Sequence, residues 1–188
     1  MKRLVATAAA ALAVTILLTV SVSAAAPAPD KATAKFEVDF LSDMIDHHQM
    51  AVDMAESCTD RADHDELVAL CEEIVAAQLS EIEMMQAWLA EWYGVTHEPE
   101  MTPGMMAQTE RLASLDGAEF EIAFMKTMIR HHTQAILEAE ACLDRASHGD
   151  LRAMCQEIIA AQQAEMQEMQ AWLCDWYDRC GYFGARRP

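Results

Sequence analysis

Residues 36–93 align without a gap on residues 120–177 at an offset of 84, and 31 of the 58 aligned positions are identical. A chain that repeats itself in this way folds as two copies of one unit, so the unit sets the architecture. In the first copy Phe40, Met44, His47/His48, Ala51, Met54/Ala55 and Cys58 recur at steps of three and four. After a polar break over 60–66 a second series follows: Leu67, Cys71, Ile74, Gln78, Ile82, Met85, Leu89 and Trp92. Both series carry the 3.6-residue period of an amphipathic helix. The break is short, which makes the two helices antiparallel neighbours. Asp63-His64-Asp65 offers an N-cap for the second helix. The second copy places helices over 120–146 and 150–177. Between the copies, Thr102-Pro103 reads as a cap followed by Pro at the first helical position, opening a short helix to about Leu115. The expected fold is all-α: a four-helix bundle of two repeated helical hairpins, 36–93 and 120–177, joined by a crossover connection over 94–119.

Composition narrows the class further. Six Gly and five Pro in 188 residues are too few for the many tight turns of an all-β sandwich or barrel. A net charge of -18, from 31 Asp+Glu against 13 Lys+Arg, excludes a nucleic-acid partner and favours cations.

Lys2 and Arg3 precede an unbroken apolar run over 4–20 and small residues up to Ala26, the pattern of a signal peptide over 1–26. A cut after Ala24 is preferred, because Pro27 follows a cut after Ala26. Left uncleaved, the segment would anchor the chain in a membrane, its one route to a membrane partner. Residues 27–35 then read as a flexible tether and 178–188 as a C-terminal tail. The mature protein is expected to be exported, to a periplasm or the extracellular space. There, six Cys point to disulfides, and proximity suggests Cys58–Cys71, Cys142–Cys155 and Cys174–Cys180. Thiolate metal ligation is the competing reading.

A Cys58–Cys71 bond fixes the register of the first hairpin. His48 then lies level with Glu81, His47 with Ile82 and Met44 with Met85. In the second hairpin His132 faces Glu165 and Met128 faces Met169, with Gln78 and Gln162 one turn away. Imidazole and thioether together favour copper, the thioether selecting Cu(I). The Glu is either a ligand or an acceptor that orients one imidazole. Adjacent helical residues point about 100° apart. One His per repeat is therefore expected to face the core, His48 and His132, with His47 and His131 at the helix margin. A Met stripe is also ordinary core filling, and the His layer also reads as structural. His97, Met101, Met105 and Met106 form a second group of soft donors, equally readable as residues stapling the connection to the bundle. His64 and His148 are expected to be exposed in the hairpin turns. Trp88, Trp92, Trp172 and Trp176, each pair followed by Tyr, are expected to plug a bundle end.

The strings FLSDMIDHHQMAVDMA and FEIAFMKTMIRHHTQAILEAEA are each followed by Gln, Glu and Met at helical spacing: Gln78-Glu81-Met85 and Gln162-Glu165-Met169. This pattern resembles the DUF305 family. The resemblance implies a ferritin-like four-helix bundle, exported in bacteria, whose copper-binding members use His and Met. It implies copper or silver capture, buffering or delivery, and a metal-transfer partner protein. Carried over by position, the implied ligands are Met44, His47, His48 and Met85, with Met128, His131, His132 and Met169 in the second copy. Met54, which matches the family's Met after the His pair, is replaced by Glu138 in the second copy, so the two sites are not expected to be equal. The six cysteines depart from the general family pattern and suggest additional stapling.

Three functions compete at this point. The first is a metal-binding protein without turnover, with Cu(I) or Cu(II), or silver, as its ion. The second is a structural or partner-binding bundle with a His/Glu layer. The third is a carboxylate-bridged di-metal oxidase, which needs Glu-x-x-His motifs that this chain lacks.

Overall fold

A computed structural model describes residues 29–181. The signal segment and the end of the tail lie outside the described residues. The described residues form five helices and no strand: α1 (Lys31–Arg61), α2 (Asp65–Tyr93), α3 (Pro103–Ala113), α4 (Gly117–Arg145) and α5 (Gly149–Tyr177). None of these helices is long and apolar enough to cross a membrane. Asp30 caps α1 by accepting from the Ala32 and Thr33 N–H groups, so residues 31–35 are helical. The expected tether is corrected there: a carboxylate cap supplies acceptors that the apolar periodicity alone did not register.

Helix α1 packs along α2, and α4 along α5, as two hairpins; α1 also packs against α4, and α3 lies across both. All three expected disulfides are present. Cys58–Cys71 and Cys142–Cys155 close the hairpins, and Cys174–Cys180 ties the chain after α5 back to its last turn. Among the described residues no cysteine is free. Such bonds are the mark of an oxidising compartment. Helix α2 ends on Gly94 in the left-handed region (φ 64°), and the equivalent residue after α5, Asp178, adopts the same conformation (φ 55°).

The hairpins lock each other through two buried carboxylates that sequence reading did not single out. Glu37, on α1 of the first repeat, reaches the start of α5 in the second. It accepts from Ser147 N–H (2.5 Å), His148 N–H (3.1 Å), His148 Nδ1 (2.6 Å) and the Tyr93 hydroxyl. Glu121, on α4, does the same for α2. It accepts from Asp63 N–H (2.7 Å), His64 N–H (2.9 Å), His64 Nδ1 (2.7 Å) and the Tyr177 hydroxyl. Neither His64 nor Asp116 caps its own helix with a side-chain hydrogen bond. Glu121 thus holds the turn that leads into α2, taking the N–H groups of Asp63 and of the N-cap residue His64; the N-cap falls within Asp63-His64-Asp65 as expected, without a side-chain cap bond. Both Glu side chains are fully buried, and a buried carboxylate is tolerated only with donors of this number.

The aromatic residues complete each clasp. His64 stacks on Trp176 and His148 on Trp92, each with centroids 3.9 Å apart and planes 4° apart. Trp88–Trp92 and Trp172–Trp176 stack in turn at 5.0 Å. His64 and His148 are therefore half-buried rather than exposed, because a neighbouring hairpin covers each turn.

Burial alone would raise the Glu37 and Glu121 carboxyls. The tyrosine, histidine and backbone donors outweigh it and hold both below the ordinary carboxylate value of 4.5. Burial first, and the adjacent carboxylate next, push the Tyr93 and Tyr177 phenols up. A depressed carboxyl contributes stability that is complete above its unfolded value and is lost as pH falls through the folded one. Thermal melts should therefore show the wild type losing more stability between about pH 5 and pH 3 than E37Q/E121Q; equal acid sensitivity would refute the clasp. Glu37→Ala strands several buried donors and should cost about 3–5 kcal/mol by chemical denaturation. Tyr93→Phe removes one bond to a charge and should cost about 1.5–3 kcal/mol.

Candidate metal centre

The clasps set α1 and α4 antiparallel and level, so the two His-His pairs meet near the middle of the fold. Within each pair the rings diverge. His47 and His48 have centroids 6.5 Å apart with planes at 50°, and His131 and His132 are 6.1 Å apart at 61°. His48 and His132 are fully buried, each inside its own hairpin. His47 and His131 stack on each other across the α1–α4 junction, with centroids 3.6 Å apart and planes 18° apart. His48 and His132 thus face the interior of their hairpins as expected, whereas His47 and His131, expected at the helix margin, are also buried, because α1 and α4 pack directly against each other there.

The stacked pair is held reciprocally. His47 Nε2 donates to the His131 carbonyl (3.2 Å) and His131 Nε2 to the His47 carbonyl (3.0 Å). A carbonyl only accepts, so the proton sits on Nε2 in each ring and Nδ1 carries a lone pair. Nδ1 of His131 has no partner. Burial first, then the neighbouring imidazoles, lowers both rings: His47 to about 4 and His131 well below its ordinary value. Both are neutral at pH 7.

Inside the first hairpin, His48 Nε2 lies 2.7 Å from Glu81 Oε2. The carboxylate accepts a hydrogen bond from Nε2–H and leaves Nδ1 as a fully buried lone pair with no partner. In the second hairpin His132 Nε2 and Glu165 Oε2 approach to 2.6 Å, but the pair is not aligned as a hydrogen bond, and Nδ1 of His132 is again unpartnered. The Oε1 atoms of Gln78 and Gln162, one turn from each Glu, are likewise buried without partners.

The thioethers occupy the same depth. Met44 stands four residues before His48, on the same helix face. Met85 stands four residues after Glu81 on the facing helix. Both are fully buried in one apolar cluster with Phe40, Leu41, Ile82 and Leu89. Met128 and Met169 occupy the second cluster with Phe124, Met125 and Leu173. Each hairpin thus buries an unpartnered imidazole nitrogen and two methionines, with a carboxylate beside the imidazole: hydrogen-bonded at His48, and 2.6 Å away without alignment at His132.

Among the described residues, no three His, Cys, Asp or Glu side chains gather as a metal-binding group. The hairpin interiors bury methionine together with histidine, and thioether donors suit soft ions.

The middle connection is stapled rather than open. Asp46 Oδ1 accepts from His97 Nε2 (2.8 Å) and Glu100 N–H (2.7 Å), and Gln86 donates to the His97 carbonyl (2.9 Å). Thr102 caps α3, as its Thr-Pro start suggested. Met101 and Met105 pack on the core, while Met106 is 45% exposed. His97 and the three methionines therefore do not form one cluster of soft donors: an aspartate one helix away captures the imidazole.

Three comparisons bear on this arrangement. The description of the DUF305 family, a domain of unknown function, matches residues 37–173. No curated protein matches the chain. Among solved structures, CopM in its Cu(II)-bound form is 31% identical, with a TM-score of 0.69, covering 75% of this chain and 97% of that one. CopM in its Cu(I)-bound form is 29% identical, with a TM-score of 0.67 and the same coverage. A DUF305 fragment from Deinococcus radiodurans is 25% identical, with a TM-score of 0.67, covering 79% of this chain and 98% of that one. With the family's pattern spanning most of its length, this chain belongs to the DUF305 family.

Proposed function

We propose that this protein binds a soft metal ion, copper or silver, outside the cytoplasm, for capture, buffering or delivery to a partner protein. It does so without turnover, on a ferritin-like four-helix bundle whose signal segment has been removed. The observation that carries this reading is the unpartnered Nδ1 of His48 and of His132. Each is fully buried; a carboxylate fixes the tautomer at His48 and lies beside the ring at His132, and each hairpin also buries two methionines. An unpaired buried acceptor is costly in a core otherwise closed by hydrogen bonds, and an incoming cation would relieve that cost twice over. The likeness to CopM, solved with Cu(I), Cu(II) and Ag bound, supports the same choice of ion.

Met44, His48 and Met85 would hold the ion in the first hairpin, with Glu81 fixing the imidazole; Met128, His132, Met169 and Glu165 would do so in the second. Thioether and imidazole are neutral donors, which suits a monovalent ion in an interior that could not carry further charge. His47 and His131 leave these two centres, because their rings turn into the α1–α4 junction. The misaligned His132–Glu165 contact, which leaves that imidazole without an orienting hydrogen bond, makes the second centre the weaker one.

Anaerobic titration with Cu(I) against a competing chelator, or with Ag(I), should reveal tight binding that raises the melting temperature. A ligand at about 100 times its Kd adds about 2.7 kcal/mol to the native state. His48→Ala with His132→Ala should remove the part of that gain that comes from the hairpin centres, whatever it does to the metal-free protein. A gain undiminished in the double variant, or one that the wild type never shows, would refute the reading. In a Cu(I) competition, Glu165→Gln should weaken binding less than Glu81→Gln, by up to about tenfold for the latter.

A further inference from the structure

The stacked imidazoles also form one wall of a cleft. Beneath α3, between α1 and α4, two adjoining cavities of about 500 and 300 Å³ share His47, Thr102, Met105 and Gln134 as walls. His131 and Met50 line the larger, and Asp43, Asp46, Glu100 and Glu138 line the smaller. Met50 is nearly fully buried and Met105 partly so.

We propose that this cleft is a third soft-cation site, in which the thioethers of Met50 and Met105 and the bare Nδ1 of His131 take up a Cu(I)- or Ag(I)-like ion.

The proposal rests on the reading of the hairpin centres but uses none of their donors. Its imidazole is defined by bonding: His131 is over nine-tenths buried, its Nε2 proton is committed to the His47 carbonyl, and its Nδ1 has no partner. Its sulfurs come from two unrelated segments, one from α1 and one from the connecting helix. The site therefore exists once in the molecule. The repeat copy of Met50 is Gln134, on the opposite wall, and α3 has no counterpart. Arg130, whose repeat partner is Asp46, also lines the larger cavity and bonds Thr127 Oγ1 (3.2 Å). Its charge opposes a doubly charged ion more than a singly charged one, and neutral thioethers favour the singly charged soft ion as well. The carboxylates of the smaller cavity lend the entrance the opposite sign and raise the local cation concentration. Asp46 is already held by His97 and the Glu100 N–H, so the acidic wall is fixed in place by the same bonds that seat the connection.

Full-length protein labelled with 13C at the methionine methyls, titrated with Ag(I) and followed by NMR, tests this. The expected result is movement of the Met50 and Met105 methyl signals, in a step separable from those of Met44, Met85, Met128 and Met169. Native mass spectrometry of M50L/M105L should then show one bound Ag(I) fewer than the wild type. If the hairpin methionines move while Met50 and Met105 stay fixed to saturation, the cleft site is refuted and the hairpin centres stand. If no methionine moves, both readings fall. The wild-type signals decide even if the double variant folds poorly.

Discussion

The junction between α1 and α4 is the constraint on which the rest depends. Nothing in a helical hairpin closed by a disulfide says how it must sit against its twin. Three reciprocal contacts settle it: Glu37 on the start of α5, Glu121 on the start of α2, and the His47–His131 stack between them. Each is the repeat image of another, or of itself. The junction thus behaves as a dimer of hairpins within one chain, where each of these contacts has its repeat image. This is the logic of an isologous interface, with self-complementary surfaces meeting across a two-fold relation.

The reciprocity explains how a polar layer can occupy the centre of the molecule. Two stacked imidazoles would be costly if either Nε2 lacked a partner, and each finds one in the other's backbone carbonyl. Neutrality follows from burial, since a charged ring in that place would face its twin at stacking distance. What remains unpartnered after these bonds are made is Nδ1 of His48 and of His131, both ring nitrogens of His132, Oε1 of Gln78 and of Gln162, and Oε2 of Glu165. All are acceptors except the one His132 nitrogen that carries its proton. The proposed soft-cation binding rests on this surplus of buried acceptors in an interior that also buries methionines.

Departures from the repeat are as informative as its repetition. Met50, Asp43 and Asp46 are replaced by Gln134, Thr127 and Arg130. These six positions lie around the cleft under α3 and not inside the hairpins. The hairpin interiors keep Met44/Met128, His48/His132, Glu81/Glu165 and Met85/Met169 unchanged. The two halves have therefore diverged where the connecting helix lies over only one side, and stayed alike where each half encloses its own donors.

The repeat, the 3.6-residue period and the cysteine spacing were enough to specify the helices, the hairpins, the disulfides and the levels at which His48 meets Glu81 and His132 meets Glu165. These are properties of local periodicity and short loops, and sequence carries them directly. The clasp was not legible: Glu37 and Glu121 look like ordinary surface charges one residue after a Phe, and only their identity in both copies hinted otherwise. Their partners lie more than 50 residues away, the histidine and backbone donors on the other hairpin and the tyrosine at the far end of their own. The same distance hid the cleft, whose sulfurs come from α1 and from α3, and the capture of His97 by Asp46. Sequence fixes what a helix presents on each face; which face meets which is decided by long-range packing, because only there do buried donors and acceptors find one another.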